Sequence, residues 1–310
     1  MSGIIDFLKN EEAHKKRSAV YPMSGSDTTA FGRQPATAEP EFSGNAGSEP
    51  PSAADVPNNS AIAPLSRGKV LEEEIIPADE FDFSNATAQM QRAMDPGTIL
   101  GEQFRILRTR LSLLQKQNGT KTILITSTVP QEGKSFTSYA LAGVIAQEHE
   151  KRVVIIDADL RKQGSGREYG LNLGAEIAGT TQVLQGINEF RKSLLKSTDP
   201  EFWFLPSGPL PPNPSELLSS PEMEKVLRYA AERFDWVIVD SPPALALSDP
   251  NLIAPLCDTV VFVVRANSTP AKLALEAMNK IGRERICGIV LNRKKQMHSS
   301  RHYYQYYNQK

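Results

Sequence analysis

A chain of 310 residues with 40% apolar content has enough material for one large domain or two ordinary ones. A formal net charge of −1 argues against a protein dedicated to nucleic acid. The longest apolar runs, such as 153–156 and 260–264, have the length of strands and not the roughly 18 residues of a membrane-spanning helix, so we expect a cytoplasmic protein. Cys257 and Cys287 lie in apolar sequence and the histidines are scattered, which predicts buried free thiols.

The first 95 residues divide into three segments by composition. Residues 1–17 are predicted to form a short amphipathic helix, which is either a frayed end or a docking segment. Residues 18–70 are rich in Pro, Ala and Ser, with seven prolines between Pro22 and Pro64, and are predicted to be a disordered linker. Residues 71–95, in which acidic and apolar side chains alternate from Leu71 to Asn85, are interpreted as an ordered or semi-ordered approach segment to a folded domain.

A strong helical pattern begins at Ile99. Its apolar positions recur at helical spacing, at Phe104, Leu107, Leu111 and Leu114. Glu102, Arg105 and Arg108 are three residues apart, which places them on adjacent turns. Spacing alone favours a solvated face with ion pairs within the helix.

Beyond Gly119, short apolar runs alternate with helical patterns. The predicted strands are 122–126, 152–157, 202–205, 236–240, 259–264 and 286–291, and the predicted helices are 135–147, 221–233, 249–255 and 270–281. Because these runs are almost wholly apolar, the strands should be buried on both faces. The sequence therefore predicts an α/β fold with a mainly parallel sheet and helices on both of its faces, and ligands at the carboxyl ends of the strands.

The first of these strands leads into a turn that carries Gly133, Lys134 and Ser135. A phosphate-binding loop needs backbone N–H groups at a helix N-terminus, a lysine for the outer phosphates and a hydroxyl for Mg²⁺, and this order supplies them. Thr128 stands where the usual pattern has its first glycine. Taken alone, the stretch also fits an ordinary corner between a strand and a helix.

Two further strands end on carboxylates, one on Asp157 and Asp159 and the other on Asp240. A carboxylate at the end of a buried strand is costly unless it is solvated, hydrogen-bonded or paired with a cation. Each aspartate taken separately is also explained as the N-cap of a helix. Three such motifs in one sheet together favour a site for a nucleotide and Mg²⁺.

The three motifs closely resemble those of the bacterial tyrosine kinases, the P-loop kinases of capsule and exopolysaccharide systems. The resemblance rests on residues 130–135, 155–162 and 237–243, with support from 208–218, 288–292 and a terminal tyrosine cluster. Val129 stands where partitioning ATPases carry a signature lysine, which disfavours that branch of the P-loop NTPases. The resemblance implies a catalytic domain over 96–292 and a tail over 293–310.

The resemblance also implies roles for individual residues. Lys134 would bind the β- and γ-phosphates of ATP, Asp157 would be the candidate base, and Asp159 and Asp240 would shape the metal site. The implied Mg²⁺ ligands are Ser135, Asp157 and Asp240. The implied nucleotide-binding residues are Pro130, Gln131, Glu132, Gly133, Lys134, Ser135, Phe136 and Asn292, the last at the adenine edge. Phosphoryl transfer needs mainly positioning and charge neutralisation, so the physical chemistry agrees, although which carboxylate is the base stays open.

In this family, Glu102, Arg105 and Arg108 match an E-x-x-R-x-x-R motif that joins catalytic domains into a ring. The tail holds Tyr303, Tyr304, Tyr306 and Tyr307, which the resemblance implies are autophosphorylated. The segment 293–310 has five basic residues and no acids, so a base-stacking tail for nucleic acid is the alternative. An extended chain from Leu291 to Tyr303 spans up to ~40 Å, so reach does not exclude phosphorylation in cis.

The Phe136-Thr137 pair and the long linker resemble the cytoplasmic autokinases of exosortase-type exopolysaccharide clusters. The resemblance implies an autokinase that regulates exopolysaccharide polymerisation or export, recruited to the inner face of the plasma membrane. The implied partners are a separate membrane-embedded chain-length activator and a tyrosine phosphatase, with no specific nucleic acid. The alternatives are a non-kinase ATPase or nucleotide-gated scaffold, and an interaction protein with an inactive site. The chain departs from the family pattern at Gln131, Ala140 and Gln163.

Overall fold

The computed structural model describes residues 4–6, 79–81, 86–148, 150–162, 166 and 177–293. The predicted linker and the four tail tyrosines lie outside these described residues. Within them, no helix is both long enough and apolar enough to span a bilayer.

The described strands form one nine-stranded sheet in the order β1-β9-β8-β3-β7-β4-β6-β5-β2. The strands are β1 (Ile4–Asp6), β2 (Asp79–Phe81), β3 (Thr122–Ser127), β4 (Val153–Asp157), β5 (Leu195–Ser197), β6 (Trp203–Leu205), β7 (Trp236–Asp240), β8 (Thr259–Arg265) and β9 (Ile286–Asn292). From β9 to β6 all neighbours are parallel, and β2 is parallel to β5. The pairs β1/β9 and β5/β6 are antiparallel. The prediction of a mainly parallel sheet is confirmed.

Eight α-helices lie in the described part of the chain. They are α1 (Ala88–Met94), α2 (Ile99–Asn118), α3 (Lys134–Ala146), α4 (Thr180–Leu184), α5 (Pro214–Leu218), α6 (Pro221–Arg233), α7 (Asp249–Ile253) and α8 (Ala271–Ile281). Short 3₁₀ turns occupy Phe190–Ser193, Ala254–Leu256 and Arg283–Arg285. Proline at the first position of α5 and α6 suits a helix start, because the missing N–H has no partner within the helix there.

The sheet has an apolar core on each face. Ile123 and Ile125 of β3 pack with residues of α1, α2 and α3, whereas Leu124 packs with residues of α6 and α8 on the other face. All six residues of β3 are buried, which explains why the strand is apolar at both alternating positions. Helices therefore cover both faces, as predicted.

Helix α2 begins at Ile99, where its sequence pattern begins. The Thr98 hydroxyl accepts a hydrogen bond from the Gly101 N–H at 2.9 Å and caps the first turn. The helix ends at Gly119, which has a φ of 75° that glycine adopts without steric cost. Phe104 and Leu107 of the predicted apolar face are buried.

The N-terminal segment corrects our prediction of a helix over 1–17, since residues 4–6 form strand β1. Ile4 pairs with Leu291 of β9. A helix this short gains little from its own hydrogen bonds, whereas the open edge of β9 offers backbone partners to a β-branched segment. The remainder of 1–17 lies outside the described residues.

The folded body also begins earlier than the predicted boundary at Pro96. Helix α1 contributes Met90, Ala93 and Met94 to the core on the α2 side of the sheet. Part of the predicted acidic approach segment is therefore integral to the domain. Both thiols are free, as predicted, and Cys257 is buried, whereas Cys287 is only half-buried. Burial raises the pKa of both thiols.

Candidate active site

Three neighbouring strands bring the predicted chemical groups to one edge of the sheet. Strand β3 leads into the phosphate loop and α3, while β4 and β7 end on Asp157 and Asp240. These two aspartates are paired in register across β4 and β7. The Ala158 N–H donates to the Asp240 carbonyl at 2.8 Å, which holds the two strand ends together beyond the ladder.

The phosphate loop makes its turn with two residues in the left-handed region. Gln131 has a φ of 65° and Gly133 a φ of 95°. A Cβ on Gly133 would lie 2.0 Å from Asn292 Nδ2, so both backbone angle and space require glycine there. The family that the sequence motifs resemble usually has glycine at the position of Gln131, and the left-handed conformation of Gln131 costs about 1 kcal/mol. The positive φ at this position therefore explains the family's glycine, and Gln131 adopts the same backbone conformation under strain.

Lys134 points its ammonium group into a cluster of polar side chains. Its Nζ lies 3.0 Å from Asp159 Oδ2, 3.1 Å from Ser135 Oγ and 3.7 Å from Asp240 Oδ2. Burial by itself lowers the pKa of Lys134, but the carboxylates of Asp240 and Asp159 outweigh it and the pKa is raised. The lysine therefore stays cationic and is aimed at the space where the loop would hold phosphate.

Asp240 is fully buried beside this lysine. Burial raises its pKa, and the charge of Lys134 only partly opposes that effect. The Ser138 hydroxyl donates to Oδ1 at 3.3 Å, whereas Oδ2 has no hydrogen-bond donor among the described residues. A buried carboxylate oxygen without a donor next to the Ser135 hydroxyl fits Mg²⁺, which prefers oxygen ligands.

The described residues contain no group of three or more His, Cys, Asp or Glu side chains arranged as a metal centre. Mg²⁺ usually binds through one or two protein oxygens together with the phosphates of its nucleotide, so this donor set fits it. Ser135, Asp240 and Asp157 are the residues that would hold it.

Asp157 and Asp159 differ in their surroundings although they are two residues apart. Asp159 contacts Lys134, while Asp157 Oδ1 accepts a hydrogen bond from the Asp159 N–H at 3.1 Å. Their exposed fractions are 1% for Asp157 and 7% for Asp159. Both face the phosphate loop, so both stay candidates for the carboxylate that accepts the proton of an attacking hydroxyl.

Two predicted nucleotide-binding side chains have other contacts in this structure. Asn292 Nδ2 donates to the Glu132 carbonyl at 2.8 Å and so supports the phosphate loop from the end of β9. The Phe136 ring packs edge-on against Phe104 in the core, with centroids 5.9 Å apart. Phe136 therefore anchors the first turn of α3 in the core.

Sequence reasoning missed a cluster that joins residues of two quoted motifs to the first residue of α7. Arg161 Nε and Nη2 bind the two carboxylate oxygens of Asp249 at 2.6 and 3.0 Å. The Ser215 hydroxyl donates to Asp249 Oδ1 at 2.7 Å and accepts from Arg161 Nη2 at 2.7 Å. The hydrogen bond from Arg161 helps to hold the pKa of Asp249 below its usual range, despite the opposing effect of burial. Arg161 and Ser215 each belong to a quoted motif, but no sequence pattern indicates that they meet.

The two arginines of the predicted oligomerisation motif contact the C-terminal end of α3. Arg108 Nη1 donates to the Val144 carbonyl at 3.0 Å, and its Nε lies 2.9 Å from Glu148 Oε1. Arg105 Nη2 lies 3.3 Å from Gln147 Oε1. Cations at a helix C-terminus bind its last carbonyls and interact favourably with the negative end of the helix dipole. Within one chain, these side chains therefore stabilise the helix that starts at the phosphate loop.

The fold and the site together define an α/β nucleotide-binding protein of the P-loop class. No protein-family model matches the chain. The chain is 34% identical over 227 residues to the tyrosine-protein kinase YwqD of Bacillus subtilis, and this match covers 71% of the chain and 94% of YwqD. It is 35% identical over 201 residues to the tyrosine-protein kinase Etk of Escherichia coli, covering 64% of the chain but only 27% of Etk.

The solved kinase domain of the E. coli tyrosine kinase ETK superposes with a TM-score of 0.61 at 33% identity, covering 66% of this chain and 82% of that domain. The chain therefore belongs to the family of bacterial tyrosine-protein kinases. Its enzyme class is that of the protein-tyrosine kinases, as the sequence motifs predicted.

Proposed function

We propose that this protein is an ATP- and Mg²⁺-dependent autokinase that phosphorylates Tyr303, Tyr304, Tyr306 and Tyr307 of its own tail and thereby regulates exopolysaccharide polymerisation or export. The observation that carries the proposal is the convergence of Lys134, Ser135 and three strand-end aspartates at a phosphate loop. Membership of the tyrosine kinase family supports the choice of tyrosine as acceptor.

The residues present account for the parts that phosphoryl transfer needs. Lys134 is held cationic by its carboxylate neighbours and would bind the outer phosphates. Bound Mg²⁺ would neutralise charge on those phosphates. Asp157 or Asp159 would accept the proton of the tyrosine hydroxyl, because both are carboxylates at the end of β4 near Lys134.

Incubation with γ-labelled ATP and MgCl₂ tests the proposal directly. We expect label on the tail tyrosines, abolished by Lys134→Met and by replacement of all four tyrosines with phenylalanine. Release of free phosphate with an unlabelled tail would instead favour an ATPase or a nucleotide-gated scaffold. Absence of ATP binding in calorimetry would indicate an interaction protein with an inactive site.

The assembly and partners form the second part of the proposal. Glu102, Arg105 and Arg108 would join neighbouring molecules into a ring in which each tail reaches the next active site. A guanidinium fork suits such an interface because it binds carboxylates with two hydrogen bonds. A separate membrane-embedded chain-length protein would activate the kinase and recruit it to the inner face of the plasma membrane, and a tyrosine phosphatase would reset it.

A further inference from the structure

The phosphate loop contains a buried glutamate whose carboxylate is fully used within the protein. Glu132 is 1% exposed. Its Oε2 accepts from the N–H groups of Thr128 at 2.6 Å and Val129 at 3.0 Å. Its Oε1 accepts from the Arg265 N–H at 3.1 Å and from the Thr269 hydroxyl. Four donors therefore converge on one carboxylate.

Electrostatics argue against a direct role of this carboxylate in binding ATP. A negative charge below a phosphate loop repels the phosphates that the loop attracts. The four donors are neutral, and hydrogen bonds to an ionised acceptor are stronger than those between neutral groups. The carboxylate is therefore suited to fix the positions of its donors and not to contact a ligand.

The donors come from two separate segments at the same edge of the sheet. Thr128 and Val129 open the phosphate loop after β3, whereas Arg265 and Thr269 flank the turn between β8 and α8. The backbone carbonyl of Glu132 also accepts from Asn292 at the end of β9. Through one residue, the loop is thus tied to the ends of β8 and β9.

This arrangement also decides which backbone donors the loop offers. The carboxylate takes the N–H groups of Thr128 and Val129. Residue 130 is proline and has no N–H. The donors presented to a phosphate therefore begin at Gln131, in the left-handed conformation that turns the chain toward α3.

We propose that Glu132 is a positioning residue of the nucleotide site, whose carboxylate sets the shape of the phosphate loop and couples it to the segment 265–269. The inference rests on the proposed function, because it requires that the loop bind ATP. Nucleotide binding should then also order the turn after β8, because Glu132 joins that turn to the loop.

The test compares Glu132→Gln and Thr269→Val in the full-length chain, with Glu276→Gln as the matched control. In Glu132→Gln the side-chain amide keeps the shape of the carboxylate but replaces one acceptor oxygen with a donor that faces other donors. Thr269→Val keeps the shape and removes one donor at the far end of the link. Glu276 lies exposed on α8, 3.6 Å from Lys280 Nζ, and its change should have no effect.

We expect Glu132→Gln to raise both the calorimetric Kd and the KM for MgATP about tenfold, since a loop that has lost the bonds that shape it must be reordered on binding, at a cost comparable to one hydrogen bond to a charged group. Its kcat should change less than its KM. Thr269→Val should raise Kd by about threefold. The double variant should resemble Glu132→Gln, because both changes interrupt the same connection between the loop and the segment 265–269. MgATP should slow hydrogen exchange of the Arg265 amide in the wild type but not in Glu132→Gln.

If Glu132 only stabilised the fold, the measurements on Glu132→Gln would differ. The melting temperature and the active fraction would fall, while KM and Kd for MgATP would stay within about twofold of the wild type, and that result would overturn the proposal. Because Kd is measured without turnover, the kinase proposal can fail separately. In that case the wild type binds MgATP but leaves the tail unlabelled, and the Kd comparison still decides the role of Glu132.

Discussion

Burial of the charge of Lys134 or of Asp240 alone would cost free energy, and in this site the two opposite charges lie next to each other. Each side chain is largely removed from water, and the ammonium and carboxylate lie 3.7 Å apart. The pKa of Asp240 is nevertheless raised, so its ionised form is disfavoured by the fold at this position. Active sites commonly keep such groups at the expense of stability.

Asp240→Asn should separate stability from activity. The amide removes a buried charge while Lys134 keeps its contact with Asp159, so the nucleotide-free protein should melt at the same or a higher temperature. Tail labelling should fall by about a hundredfold or more, because the change removes a proposed Mg²⁺ ligand. Calorimetric melting and a labelling assay measure the two effects. A clear fall in melting temperature would contradict this account of Asp240.

Asp249→Asn tests the cluster of Arg161, Asp249 and Ser215. The pKa of Asp249 is lowered in the folded state, so its contribution to stability is fully present above the unfolded value of about 3.9 and is lost as the pH falls through the folded pKa. We expect the variant to lose about 2 kcal/mol of unfolding free energy at pH 7, at the low end for such pairs because Arg161 is 37% exposed.

Urea unfolding of both proteins between pH 7 and pH 3 checks this prediction. The difference between them should be constant from pH 7 to pH 5 and shrink below about pH 4. A difference that stays constant throughout this range would show that the charge of Asp249 is not what stabilises the cluster.

Among the elements, those with long patterns were predictable, whereas most of the short ones, apart from β6 and α7, were not. The strands of the sheet centre and helices α2, α3, α6 and α8 were predicted, because continuous apolar runs or helical spacing mark them. Strands β2 and β5 have three residues each and α4 has five, too few for a period to appear. The same limit explains the error at β1, where the edge of β9 decides the conformation.

The site also contains residues that sequence patterns predicted and residues that they did not. Lys134 and the three aspartates were predictable because each ends a recognisable strand or opens a helix. The Arg161 pair with Asp249 and the Glu132 contacts with Arg265 and Thr269 join residues far apart in the chain. Such pairs depend on the order of strands in the sheet, which sequence patterns do not specify.

Arg108→Ala should loosen the C-terminal end of α3. The change removes the hydrogen bond to the Val144 carbonyl and the ion pair with Glu148. We expect the free energy of unfolding to fall by about 1 kcal/mol. Hydrogen exchange of the last turn of α3 should become faster, with Arg228→Ala on the exposed face of α6 as the control. Unchanged exchange in that turn would contradict the capping role.

At the scale of the whole molecule, phosphorylation of the tail is expected to weaken the oligomer that Glu102, Arg105 and Arg108 of α2 are proposed to form. Each added phosphate brings about −1.5 to −2 charge at neutral pH. Four tail phosphates would reverse the charge of a segment with five basic residues. A tail that docks in a neighbour's acidic site when unmodified would then be repelled.

Phosphatase treatment should therefore shift the full-length protein toward a larger oligomer in light scattering. Arg105→Ala combined with Arg108→Ala should abolish that shift, because both motif arginines are lost. Glu148→Gln serves as the control, since it removes an intrachain partner and leaves both arginines in place. If the phosphatase-treated double arginine variant formed an oligomer as large as that of the phosphatase-treated wild type, that result would contradict the ring.

The close approach of Asn292 to Gly133 has a consequence for how the protein is made. The phosphate loop lies before the middle of the chain, yet one of its supports arrives only with β9 near the C-terminus. Contacts between such distant segments form late in folding, after the costly closure of a long loop. During synthesis, the phosphate loop should therefore reach its final shape only after β9 has been made.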